Sequence, residues 1–81
     1  MKTKYIRWGV NILIFPAYMS HADVARPYTS QGVKIDGAGF LEFNTFAGTV
    51  MCVGESVSLG IGVHHLDVLM VAATLEMESR K

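Results

Sequence analysis

Residues 1–22, MKTKYIRWGVNILIFPAYMSHA, decide how much of this chain is available to fold. Lys2, Lys4 and Arg7 stand ahead of a mostly apolar run from Trp8 to Met19, and Ser20-His21-Ala22 then sets small residues at positions −3 and −1 of a cut after Ala22. Charge, apolar segment and small-residue cleavage site come in the order of a secretory leader. Pro16 would end a helix begun over Val10 to Phe15 and leave the residues after it extended for a peptidase. The apolar run is about 12 residues, short of the roughly 20 that a helix needs to cross a bilayer, so a retained anchor ranks below a cleaved leader.

The same residues carry a second pattern. Ile6, Trp8, Val10, Ile12 and Ile14 alternate with Tyr5, Arg7, Gly9, Asn11 and Leu13, the period of two expected of a half-buried first strand. A leader makes the protein exported, in the periplasm or cell envelope, whereas a strand makes it cytoplasmic. The leader is the preferred reading and the strand the alternative.

With 81 residues the chain has room for one domain, and removal of the first 22 leaves 59, a size at which one apolar core is marginal without staples or partners. Cys52 is the only cysteine, so no internal disulfide can supply the staple, and between Met51 and Val53 it reads as a small core residue. The formal charge is zero, but residues 23–81 hold four basic and seven acidic side chains, net −3. No basic stripe interleaved with aromatics is present, which argues against nucleic acid as a partner.

Residues 23–31, DVARPYTSQ, are polar and aperiodic, and Pro27 biases Arg26 toward extended backbone, so a flexible linker is expected there. Residues 32–81 then read as a small β-rich domain. Gly32 to Asp36 alternates as a short strand, Asp36-Gly37-Ala38-Gly39 has the composition of a turn, and Phe40 to Phe46 is rich in the aromatics that strands favour. Thr49 to Val53 is a further strand candidate, and Ser56 to Val63 alternates most regularly of all. Leu66 to Leu75 suits either a helix beginning near Asp67, with Glu76 and Arg80 paired one turn apart, or a buried strand; the hairpin-like segments before it favour the strand. The expected fold is mainly β: a small antiparallel meander or partial barrel of about four or five strands whose last segment is strand or helix.

Chemistry is sparse. His64, His65 and Asp67 form the one cluster of metal-ligating or acid-base types, and on a strand or a helix only two of the three share a face, short of the three or four ligands that a zinc site needs. No cofactor is therefore expected, a divalent transition metal at these residues being the one weak alternative. Gly54-Glu55-Ser56-Val57-Ser58 resembles a nucleophile elbow but has Ser58 where the second glycine is required. The Gly-x-Gly pairs at 37–39 and 60–62 lack the continuation of a phosphate loop. A catalytic role is not expected.

Surplus apolar surface is the remaining hint. Phe40, Phe43, Phe46, Leu59 and Ile61 would give a 59-residue sheet more hydrophobic area than its own layers can cover, which points to a homo-oligomer, a larger protein assembly or membrane contact. The leading expectation is a non-catalytic exported subunit of a cell-envelope assembly that associates through strand edges and apolar faces. The alternatives are a cytosolic β-rich domain that binds a ligand or a subunit, and a metal-binding protein using His64, His65 and Asp67.

Overall fold

The alternating N-terminal run folds as a hairpin. In the computed structural model, which describes residues 3–79, Thr3–Trp8 (β1) and Asn11–Pro16 (β2) pair antiparallel with Trp8 opposite Asn11. Gly9 takes φ 56 at the first central position of the two-residue connection, where a type II′ turn requires a positive φ. Tyr5 and Ile6 have no exposed surface. As neighbours on a strand they point to opposite faces, so this segment supplies the centre of both cores of the molecule. Lys2 of the leader reading lies outside the described residues.

Residues 23–31, expected to be a linker, fall largely within a helix, His21–Thr29 (α1). Ser20, which the leader reading assigned to a cleavage site, caps it by accepting the Asp23 N–H at 3.0 Å. His21, Val24, Ala25 and Tyr28 recur at the i, i+3, i+4, i+7 spacing and turn inward, with His21 and Ala25 buried. The tract reads as aperiodic only when it is cut at residue 22, which separates His21 from the rest of its face.

The chain then forms Gly37–Asn44 (β3), Thr49–Val53 (β4), Glu55–Ser56 (β5), Ile61–Gly62 (β6), Asp67–Leu75 (α2) and Glu78–Ser79 (β7). The main sheet is five-stranded and mixed, in the order β2-β1-β3-β4-β7, with β7 parallel to β4 and the other pairs antiparallel. The expectation of a mainly β fold is borne out, in a sheet that stays open rather than closing into a barrel. Since β2 and β3 flank β1 and both oppose it, they run parallel to each other, and α1 joins them as a split βαβ unit.

Each face of the sheet has its own cover. Tyr5, Leu41 and Val50 pack beneath Val71 and Ala72 of α2. Ile6, Phe15 and Ala38 pack beneath Ala25 of α1, together with Ile35 and, from the β5–β6 hairpin, Leu59 and Ile61. Burying a side chain of this kind contributes about 1.5–3 kcal/mol, so losing the N-terminal hairpin would open both cores at once.

Four further local expectations are corrected. Gly32 to Asp36, expected as a short strand, is irregular and leads from α1 into β3. Asp36 to Gly39 is not a turn: Gly37 and Gly39 already lie in β3, and a Cβ on Gly37 would collide with the Asp67 carboxylate, so glycine is there for a close approach. Ser56 to Val63 is not one strand but a tight β5–β6 hairpin, in which Ser56 Oγ accepts the Leu59 N–H at 3.2 Å and Gly60, at φ 67, donates to Ser56 O at 2.9 Å. Leu66 to Leu75 is helical rather than extended. Asp67, Val71 and Ala72 are buried while Leu69, Ala73 and Thr74 are exposed, a helical period, and Glu76 closes the helix in the left-handed conformation at φ 55. The expected Glu76–Arg80 pair involves Arg80, which lies outside the described residues. Among the described residues no helix is long and apolar enough to cross a membrane.

Candidate functional site

The polar centre of the molecule is Asp67, the first residue of α2, which has no exposed surface. Its Oδ2 accepts the Tyr5 hydroxyl at 2.5 Å and the His64 N–H at 2.9 Å, and its Oδ1 accepts Arg7 Nε at 2.5 Å. Arg7 is itself 5% exposed, donates from Nη1 to Gly9 O at 2.8 Å and lies 3.9 Å from Asp36 Oδ2. Asp36 in turn accepts the Gly9 N–H at 2.8 Å. One network thus joins the first hairpin, the start of β3 and the turn into α2. A carboxylate at a helix N-terminus is favoured by the helix dipole, and three donors compensate its removal from water.

This environment sets the neighbouring acids. Burial, reinforced by the hydrogen bond to Asp67, pushes the Tyr5 phenol well above its usual value. Burial also pushes the Cys52 thiol up to about 11, against an opposing contribution from the Tyr5 hydroxyl. Both stay protonated near neutral pH, so Cys52 has the character of a packed thiol rather than a nucleophile. Ser56, the residue that invites comparison with a nucleophile elbow, is buried with its Oγ engaged by the Leu59 N–H.

His64, His65 and Asp67 are adjacent in the chain but divide in space. The imidazoles of His64 and His65 stack with centroids 4.2 Å apart. His64 Nδ1 accepts the Leu66 N–H at 3.1 Å, so the neutral ring carries its proton on Nε2. The Asp67 carboxylate is taken up by its bonds with Tyr5, Arg7 and the His64 amide. Among the described residues no three His, Cys, Asp or Glu side chains are grouped to hold a metal ion.

The five apolar interaction candidates also separate. Phe46 is completely exposed and Phe43 partly so, near the β3–β4 connection. Phe40 is half-buried on the opposite face of β3 from Phe43, its ring 5.7 Å from that of His21 and 5.7 Å from Lys4 Nζ. Leu59 and Ile61 pack into the core beneath α1 and line a groove beside Arg7 and His64.

Sequence reasoning missed Tyr5, Arg7 and His21, all of which it had placed in the leader. His21 is 4% exposed, edge-on to Phe15 and Phe40, and its Nε2 lies 2.8 Å from Gly39 O. Because a carbonyl only accepts, Nε2 is the protonated nitrogen, and burial holds the ring below the usual histidine value. The available signals were an aspartate at a helix start and a Gly-x-Gly pair in a strand, which together announce a buried polar approach.

On one side the sheet ends at β2. β2, sequence NILIFP, is an outer strand with no charged residue. In a two-residue hairpin the pair flanking the loop exchanges both hydrogen bonds, so Asn11, Leu13 and Phe15 bond to β1, while the N–H and C=O of Ile12 and Ile14 face outward. Asp36 N–H donates to Arg7 O at 2.8 Å, which confirms that Arg7, opposite Ile12, turns its backbone away from β2. Val10, Tyr18 and Met19 are exposed at either end of the strand. Comparison with protein-family models, with curated proteins and with solved structures finds no match to this chain.

Proposed function

We propose that this protein is a small non-catalytic subunit that assembles with a second copy of itself along β2, and that it works with residues 3–16 in place, as a cytosolic β-rich subunit-binding domain. The observation that carries the reading is the outward edge of β2: an uncharged six-residue strand with four backbone groups, on Ile12 and Ile14, that are unpaired among the described residues. Soluble proteins usually blunt such an edge with charge, proline, a bulge or a cover; β2 carries only Pro16, at its far end, and Ile12 and Ile14 remain a template for strand pairing.

The strand is self-complementary. A two-fold axis through Leu13 sets Ile12 opposite Ile14 of the partner, so that all four outward groups are bonded and the five-stranded sheet becomes a ten-stranded one. Retention of the N-terminus is supported by what cleavage after Ala22 would remove: Tyr5 and Ile6 from the two cores, and Arg7 from Asp67.

Light scattering with chromatography should give twice the monomer mass at micromolar concentration. Ile14→Pro, which deletes an outward N–H without touching the bonds to β1, should give a monomer that still melts cooperatively. In a Cys52→Ser background, Leu13→Cys should crosslink to its partner on mild oxidation, since residues facing each other across the axis form a close, non-hydrogen-bonded pair. A monomer at millimolar concentration would remove the assembly claim, and native protein whose intact mass begins at Asp23 would restore the exported reading.

A further inference from the structure

A groove of about 780 Å³ opens between the end of α1, the 34–36 segment, the β5–β6 hairpin and the turn before α2, with no β2 residue among its lining. Its polar wall is formed by Arg7, Lys34, His64, Asp36 and Thr29, and its apolar wall by Leu59, Ile61 and Leu66. We infer that this groove is a binding site for a small amphiphilic carboxylate, an acid with one anionic head on a short apolar body.

The donors argue for the head. Arg7 is nineteen-twentieths buried and spends Nε on Asp67 and Nη1 on Gly9 O, so Nη2 is the one guanidinium nitrogen with no bond to a described residue. Its ion pair with Asp67 locks the guanidinium in place, so that presenting Nη2 to a ligand costs no ordering of a long side chain. His64 accepts the Leu66 N–H at Nδ1, which leaves Nε2–H as a second donor, and the exposed Lys34 supplies a third. Among the described residues Asp36 is the sole carboxylate on the wall, and its Oδ2 is already engaged by the Gly9 N–H. Three N–H donors against one partly spent carboxylate and the Thr29 hydroxyl, whose proton goes to Arg26 O, favour a ligand rich in acceptors.

The opposite wall argues for the body. Leu59 and Ile61 are anchored in the core beneath α1 and are only partly buried, and Leu66 is 43% exposed. A concave site with an apolar lining and a few convergent polar groups is the usual form of a small-molecule pocket. Gly60, at φ 67 and with open space where a Cβ would stand, keeps the rim low between Leu59 and Ile61.

The test is a titration of the full chain with sodium octanoate, followed by amide and side-chain NMR. Octanoate should bind saturably in the micromolar to low-millimolar range and shift Lys34, His64, Leu59 and Ile61 together. Lys34→Met, an exposed change that leaves the fold and its melting intact, should weaken octanoate about tenfold and leave 1-octanol unaffected. Equal binding of octanol and octanoate to the native chain would overturn the carboxylate assignment, as would tighter binding of octylammonium, which would give the wall to Asp36. Inorganic phosphate matching octanoate would overturn the need for an apolar body, and no saturable shift by octanoate would overturn the site.

Discussion

At the residue scale the fold depends on a buried carboxylate and the glycine beneath it. Asp67→Asn keeps the size of the side chain but leaves the Arg7 guanidinium buried without its counter-charge, and breaking one partner of such a pair costs about 3–5 kcal/mol. Chemical denaturation should show that loss as a lower midpoint with an unchanged slope. Gly37→Ala should be of similar severity by a different route, because the new methyl occupies the position of the Asp67 carboxylate and the Tyr5 and Arg7 bonds must shift with it. If Gly37→Ala left the melting temperature unchanged, the close approach would be wrong.

Titration belongs to the same scale. His21 is held neutral in the fold, below its ordinary value of 6.5, so the unfolded chain takes up a proton before the folded one does. Its contribution is complete above about pH 6.5 and is lost as pH falls toward the folded value. A His21→Gln variant should be less stable at pH 7.5 yet show a flatter decline between pH 7 and 5. The alkaline side has the opposite sign. Tyr5 and Cys52 are both raised, so the stability they confer is full below about pH 9 and declines as pH rises through 11, where the unfolded chain releases protons that the fold retains.

At the element scale, α2 shows why part of the fold was hard to read. LDVLMVAATL has apolar residues on all sides, and its β-branched positions suit a strand as well as a helix, so periodicity alone could not separate the two. Tertiary position settles it: the segment lies across one face of the sheet with Val71 and Ala72 down, which brings Glu78 and Ser79 back to pair beside β4. Glu76 ends the helix in a conformation that favours glycine, so Glu76→Gly should raise stability by about 0.5–1 kcal/mol in thermal melts. In α1, Ser20→Ala should cost about 1 kcal/mol through the lost cap.

The Phe40–Asn44 part of β3, β4 and the strand alternation of residues 5–14 were legible because alternation is local. The groove was legible only in fragments, as Leu59, Ile61 and His64 without Arg7 and Lys34. Arg7 was visible as a charge but not as the partner of Asp67, since nothing local joins residues sixty positions apart.

At the scale of the whole molecule, the segment with the charge order of a leader supplies the inner strand β1 and the outer strand β2. The two descriptions rest on the same residues: the apolar side chains that mimic an exported leader are those that fill two cores and leave one uncharged edge. Amide hydrogen exchange of β2 against protein concentration tests this most directly. Leu13 and Phe15, bonded to β1, should be protected at every concentration, whereas Ile12 and Ile14 should be protected only where the second copy is bound and should lose protection on dilution. Rapid exchange of Ile12 and Ile14 at all concentrations would contradict the edge as an interface, and rapid exchange of Leu13 and Phe15 would contradict the hairpin itself.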